Sequence, residues 1–325
     1  MSITDVQSLF TIQAIAQRLK IMPPLRSSIM DTVFTDRVAW GLPRLSREKI
    51  YSAVKTLPLV RRGAPSIPVG NPSGGFEWYA PLALHPNKVI AASDFNDRQL
   101  RGLVSLEQWA AEITDELRRG IHESTEGMAS TALTGKISWP VKIEGGYEPY
   151  EVDFGTPLEV AVETKLTGTS KPNAVFDIIQ AQEELVNDNG YGGTYDIFAG
   201  RTAYSTIYQI IQGSTSTAKI SLGISAAGID VGGYIVKRMG ERYRNPQTEE
   251  MVQKVGDKDI LFVAKDAGHR LFYCAVDDLA AKLQPMPFFI KSKEIDDPSG
   301  YKLIAQSKPF PVVNVLGICK ATVIA

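Results

Sequence analysis

Several stretches of this chain hold residue types that do chemistry elsewhere, and each falls short of the full pattern. Gly223-Ile224-Ser225-Ala226-Ala227 sets a serine among small residues, as a nucleophile elbow does, but an alanine stands where the second glycine belongs. The plainer reading is a loop of small residues. His122-Glu123 opens the zinc-protease pattern, in which two histidines one helical turn apart share a metal and the glutamate acts as base. The second histidine's position is Glu126. His122 then reads as a solvated side chain on a helix turn. His85 and His269 have no cysteine or histidine close by in the sequence, so neither begins a metal site. Gly190-Tyr191-Gly192-Gly193 lacks the lysine and the Ser/Thr that hold phosphate and magnesium, and reads as a helix-to-strand turn. Cys274 and Cys319 lie in apolar runs, which favours two buried free thiols, although a disulfide stays open. The expectation is no catalytic residue, no cofactor and no metal.

The 325 residues suffice for one large or two ordinary domains. A hydrophobic share of 44% with 22% charged residues is that of a folded protein with a sizeable core. The formal net charge of −1 means that no strong field draws the whole molecule to nucleic acid or to an anionic membrane. No run approaches ~18 apolar residues, so no membrane span is expected. The N-terminus does not read as a signal peptide. The chain is expected to be intracellular, or assembled inside a cell.

The segment from Leu103 to Gly155 is the most structured. Leu106, Trp109, Ile113, Leu117, Ile121, Met128 and Ala132 recur in steps that place them on one helical face. Ser105 with Gln108 fits a capping box, and Gly135 fits a stop. About 28 residues would make a rod of roughly 42 Å, apolar on one face and so laid across a surface. A hairpin follows: Ile137, Trp139, Val141 and Ile143 alternate with polar residues, Gly145-Gly146 turns the chain, and Tyr150, Val152 and Phe154 alternate on the return. Pro140 has no N–H, so its position must face an edge or a bulge. A long helix on a hairpin suits a flat, tile-like subunit better than a pocket enzyme.

The flanks are less self-sufficient. Residues 1–50 offer a helix over Thr4 to Leu19, Pro23-Pro24, and an apolar patch at Ile29, Met30, Val33 and Phe34. That is too little for a core of its own, so it reads as an arm lying on something else. Residues 51–98 are rich in proline and glycine, with Phe76, Trp78 and Tyr79 near Gly74-Gly75. A loop of this length is uncommon in a compact domain, and its aromatics argue against disorder. It reads as an extended two-stranded arm pinned by a neighbour. Beyond about 166 the pattern is mixed α/β. Helices are expected from Pro172 to Val186 and from Arg201 to Gln212. Strands are expected at Thr194–Ala199, Tyr234–Arg238, Ile260–Ala264, Phe272–Val276, Lys302–Gln306 and Thr322–Ile324. The last two return to the sheet of this lobe or of the earlier one.

Taken in order, several local words resemble the phage major capsid protein E family, to which the lambda head protein belongs. They are Pro23-Pro24-Leu25 with Val33-Phe34; Arg61-Arg62 and Phe76-Glu77-Trp78-Tyr79-Ala80-Pro81; Leu133-Thr134-Gly135-Lys136; Pro149-Tyr150-Glu151-Val152-Asp153-Phe154-Gly155; and Ile304-Ala305-Gln306-Ser307-Lys308-Pro309 before the end at Thr322-Val323-Ile324-Ala325. The resemblance spans nearly the whole chain. It implies the α+β Hong Kong 97-type capsid fold, with an N-terminal arm (1–50), an extended loop (51–98), and a peripheral domain holding a spine helix and a β-hairpin (99–165). An axial domain (166–300) and C-terminal strands (301–325) complete it. It further implies a virion protein, assembled in the host cytoplasm into hexamers and pentamers of an icosahedral shell around double-stranded DNA. Scaffold and portal proteins, and in some cases a decoration protein, would be partners. One departure stands out: the extended loop is short and rich in proline.

On that reading two groups of residues are candidates for contact. Arg61 and Arg62 would salt-bridge an acidic patch of an adjacent subunit, or form a solvated edge that deters wrong β-pairing. Phe76, Trp78 and Tyr79 would anchor an interface or pack within the loop's own hairpin. Lys237, Arg238, Arg242 and Arg244 would face packaged DNA through its phosphates, line a capsomer's centre, or form a solvated loop. Two rivals are an encapsulin-type compartment around a protein cargo and a soluble α/β enzyme with its site in the 166–300 lobe.

Overall fold

The computed structural model describes residues 11–46, 78–94, 97, 106–214, 221–297 and 299–325. The start of the first expected helix, Ser105 of the expected capping box, and Arg61, Arg62 and Phe76 lie outside them.

Four helices are described: α1 (Ile12–Ile21), α2 (Leu106–Ala132), α3 (Pro172–Asn187) and α4 (Arg201–Gly213). The long helix expected from its apolar period is α2, at 27 residues. Its expected face is buried at Trp109, Ile113, Leu117, Ile121, Met128 and Ala132. The chain stops the helix with Gly135 at φ +89°, a region open to glycine because it has no Cβ. The hairpin is β5 (Lys136–Ile143) and β6 (Gly146–Asp153). Its register sets Pro140 directly opposite Pro149. Neither has an N–H, so both occupy positions whose amide would point away from the partner strand. Pro140 thus faces an edge, and both edges of the ribbon resist further pairing there.

A seven-stranded sheet runs β7 (Leu158–Val160), β19 (Ile318–Thr322), β14 (Asp259–Ala264), β8 (Tyr195–Ala199), β11 (Tyr234–Arg238), β10 (Gly228–Val231), β9 (Leu222–Ser225). Its central strands are apolar at consecutive positions because both faces are covered. Ile197, Ala199, Ile260, Phe262 and Ala264 enter a core with Val175, Ile179, Ile207 and Ile210 of α3 and α4. Phe198, Leu261 and Val263 point the other way, into a core with Met128 and Ala132 of α2. Two smaller sheets complete the frame. One runs β1 (Asp36–Trp40), β15 (Arg270–Cys274), β18 (Pro309–Val312), and the other β16 (Phe289–Asp296), β17 (Ser299–Gln306), β4 (Asn87–Ala91). Short ladders join β2 (Leu45–Ser46) to β3 (Trp78–Tyr79) and β12 (Arg242–Arg244) to β13 (Met251–Gln253).

Several expectations change. The residues around Ser225 are strand β9, followed by a two-residue turn into β10, not a loop. The strand expected at Thr322–Ile324 is Ile318–Thr322, where alternation buries Ile318 and Ala321 on opposite faces. The C-terminal strands divide: β17 pairs with β4, and β19 enters the large sheet between β7 and β14. β15 pairs with β1 and β18, and β16 pairs with β17, which in turn pairs with β4. In the described part of the expected extended loop, β3 pairs with β2 and β4 with β17 of this chain.

Trp139 lies across α2 at Gly127, where an added Cβ would stand 2.5 Å from the indole. At Gly120, on the same helix, a Cβ meets nothing within 4 Å. Gly120→Ala is expected to stabilise the chain by up to ~1 kcal/mol through helix propensity. Gly127→Ala is expected to lose ~1–3 kcal/mol to overpacking despite the same gain. Urea unfolding of the two variants checks the opposite signs.

Candidate assembly surface

The arm before β1 is held by one buried carboxylate. Ile29, Met30, Val33 and Phe34 form a turn, with Val33 N donating to Ile29 O at 2.8 Å, and all four are buried against the second half of α2. Glu126 of α2 points into the start of this turn. Its Oε1 accepts from Ile29 N at 2.7 Å, and its Oε2 from Met30 N at 2.9 Å. Lys254, just after β13, donates to Oε1 at 2.9 Å and to Glu241 at 2.5 Å. The Glu126 and Lys254 side chains are only 6% and 7% exposed, so the pair is desolvated and must be matched on nearly every lone pair. The Ser28 hydroxyl accepts from Lys254 at 2.8 Å and can donate to Glu126 or Glu241. Arm, helix and large-sheet lobe therefore meet at one set of charges.

The far end of the arm meets His269. Phe34 sets its ring against the imidazole at 6.4 Å, and Nδ1 accepts from Asn314 N at 3.3 Å. Burial drives the His269 pKa down to about 4, against a weaker upward pull from a backbone hydrogen bond to Ala264 and from Asp266. The ring is neutral in the folded chain.

The residues marked by their chemistry separate. Trp78 is half exposed, but Tyr79 is buried, its ring 5.8 Å from Phe310 and 6.0 Å from Phe154. Of these two, only Trp78 offers its ring to a neighbour. Lys237 is bound to Asp196 at 2.5 Å, a carboxylate that Lys265 shares. Arg238, Arg242 and Arg244 are exposed and have no carboxylate partner among the described residues. His122 approaches Arg26 O at 3.4 Å, and its helical neighbour Glu126 does structural work. Cys274 and Cys319 are unpaired and lie in different cores, where burial lifts both thiols to about 12. Among the described residues no cluster of His, Cys, Asp and Glu could hold a metal, and no helix is long and apolar enough to cross a membrane.

Glu126 was not singled out as a ligand of the arm. Its signal is local: from Thr125 to Ala132 the helix is made of small and apolar residues with one charge among them. A lone carboxylate there must be buried with a partner.

The surface carries projecting apolar side chains and open clefts. Leu279 is 86% exposed on a loop tied down by Lys308–Asp277 and Lys291–Asp278 ion pairs. In the same loop Lys282 and Leu283 both take φ +54°, a left-handed backbone costing L-residues ~1–2 kcal/mol each. Ile21, at the end of α1, is 84% exposed. A cleft of about 730 Å³ opens between Arg26–Ser28, α2 and the β12–β13 ladder. Phage major capsid protein E, as a family model, matches residues 11–323.

The chain belongs to that family. Its fold is the Hong Kong 97-type capsid fold, and it is a structural protein that assembles with copies of itself into a shell. A capsid protein assigned to a prophage of E. coli CFT073 superposes with a TM-score of 0.65 at 15% identity, covering 98% of this chain and 99% of that one. A phage-related protein of Bordetella bronchiseptica RB50 superposes at 0.51 with 10% identity, covering 96% and 97%. No curated protein sequence matches the chain.

Two outcomes are expected from the arm's anchorage. Glu126→Ala strands Lys254 and two backbone N–H groups and is expected to cost ~3–5 kcal/mol. The double variant E126Q/K254M should recover part of that loss, and faster proteolysis ahead of residue 36 in the single variant reports release of the arm. For His269, the folded pKa lies below the unfolded value of about 6.5. Its contribution is therefore present above pH 6.5 and lost as pH falls to about 4, a change on the order of 3 kcal/mol. Urea melts at steps across that window should show a shallower pH slope for His269→Gln than for the parent.

Proposed function

We propose that this protein is the major head subunit of a tailed phage or prophage, and that its copies form hexamers and pentamers of an icosahedral shell around double-stranded DNA. Assembly would take place in the host cytoplasm, with scaffold and portal proteins as partners and, in some particles, a decoration protein. The observation that carries this reading is the family match over residues 11–323. We assign residues 1–50 to an N-terminal arm, 51–98 to an extended loop, 99–165 to a peripheral domain and 166–300 to an axial domain. Residues 301–325 form closing strands. Arg61, Arg62, Phe76 and Trp78 are proposed as inter-subunit contacts, supported for Trp78 by its exposed ring beside the buried Tyr79. Tyr79 is proposed to fix that segment from inside. Of the basic cluster, Arg238, Arg242 and Arg244 remain available to an anionic partner, because Lys237 is held by Asp196.

Contacts of this kind close into rings when the rotation between copies closes, and many weak contacts hold a shell by avidity. Purified protein at high concentration and moderate salt is expected to give capsomers or closed shells in negative stain, alone or with a scaffold. Particles formed in the phage should protect DNA from nuclease. A strictly monomeric species by light scattering under these conditions, alone and with scaffold, would overturn the proposal. Shells that protect a protein cargo and no DNA would move it to a compartment.

A further inference from the structure

The tip of the β5–β6 ribbon and the cleft beside β12 carry opposite charges that this chain does not use. Residues 142–149 are all exposed, including Ile143 at 39% and Tyr147 at 40%. A two-stranded ribbon with apolar residues open to water is marginal unless something covers it. The prolines at 140 and 149 block its edges there, so a strand cannot extend the ribbon at those positions. Glu144 and Glu148 have no cationic partner among the described residues.

The cleft is the complement. Arg26, Arg242 and Arg244 line it, are exposed, and have no carboxylate partner among the described residues. Met251, half exposed, and Tyr243 add apolar wall. Glu126 and Glu241 lie in the same cleft but are already matched by Lys254, which leaves the arginines in excess over Glu123. Within one chain neither Glu144 nor Glu148 pairs with Arg26, Arg242 or Arg244 among the described residues. The ribbon's base is fixed where Trp139 stacks on Tyr243 at 5.6 Å, and the strand carries the tip ~13 Å onward at ~3.3 Å per residue.

We propose that residues 143–148 of one copy dock in the Arg26–Arg242–Arg244 cleft of the next, pairing Glu144 and Glu148 with the arginines and covering Ile143, which shares a face of the ribbon with Glu148, against Met251. This rests on the self-assembly reading and names one of its contacts. The contact is heterologous, tip to cleft, as ring-forming contacts are. DNA is the competing occupant. The carboxylate of Glu123 in the same wall disfavours a polyanion, whereas the tip is flanked by the cation of Lys142.

Charge exchange tests it. The pair E144K/E148K and the pair R242E/R244E should each raise the protein concentration needed for assembly at least tenfold at low salt, read by sedimentation velocity. All four changes together should bring it back to within about threefold of the parent. If either reversed pair fails to fold, the neutral pairs E144Q/E148Q and R242Q/R244Q read the same contact, each with a smaller rise. A parent that assembles while both pairs match it overturns the docking and leaves the shell reading intact. So does a fourfold variant no better than the worse pair. Normal shells from R242E/R244E that retain less DNA would assign the cleft to phosphate and overturn it as well. A parent that never assembles removes the reading beneath the proposal.

Discussion

The structure depends on a carboxylate that has been taken out of water. Glu126 sits where the arm, the long helix and the large-sheet lobe converge, and none of the three supplies a complete partner set for it. Two backbone N–H groups come from the arm, an ammonium comes from Lys254 just after β13, and a hydroxyl comes from Ser28. A charge buried this way adds little net stability when every partner is in place and costs several kcal/mol when one is missing. Its effect is therefore selective. It penalises every arrangement in which the arm lies elsewhere, and so fixes where the arm leaves the body of the subunit.

Apolar surface is distributed to the same end. The chain has no single core. The first half of α2 covers a core with β4, β16 and β17, and its second half joins the arm, the hairpin and one face of the large sheet. The other face of that sheet packs against α3 and α4. A helix that spans two cores ties them into one plate, because bending it would open both. Gly127 is where the hairpin is brought closest, with the indole of Trp139 lying in the space a side chain would fill. Leu279, Ile21 and Trp78 are among the large apolar side chains left exposed on this frame.

The β5–β6 ribbon and the arginine-lined cleft meet at one aromatic stack. Trp139 and Tyr243 bind the base of the ribbon to the wall of the cleft, so tip and cleft are held at a set separation. Self-complementary surfaces kept apart by a rigid body are what ring assembly needs. A flexible ribbon would fold back and satisfy its own arginines.

Much of this was legible in the linear order. The 3.6-residue period from Trp109 to Ala132, the alternation around Gly145-Gly146, the helix beginning at Pro172 and the strand at Tyr234 depend on residues close in sequence. Local periodicity reports them directly. The ordered family words did the rest for the fold class. The sequence also showed that the arm was too thin to stand alone. It did not show which strands would pair: β17 joins β4 and β19 enters between β7 and β14 through contacts between residues far apart in the sequence, where loop closure leaves no local trace. Nor did it show that Tyr79 faces inward while Trp78 faces out, that Lys237 is occupied by Asp196, or that a glutamate read as a failed zinc ligand holds the arm. Those outcomes depend on which distant groups arrive at the same place, and only the packed chain decides that.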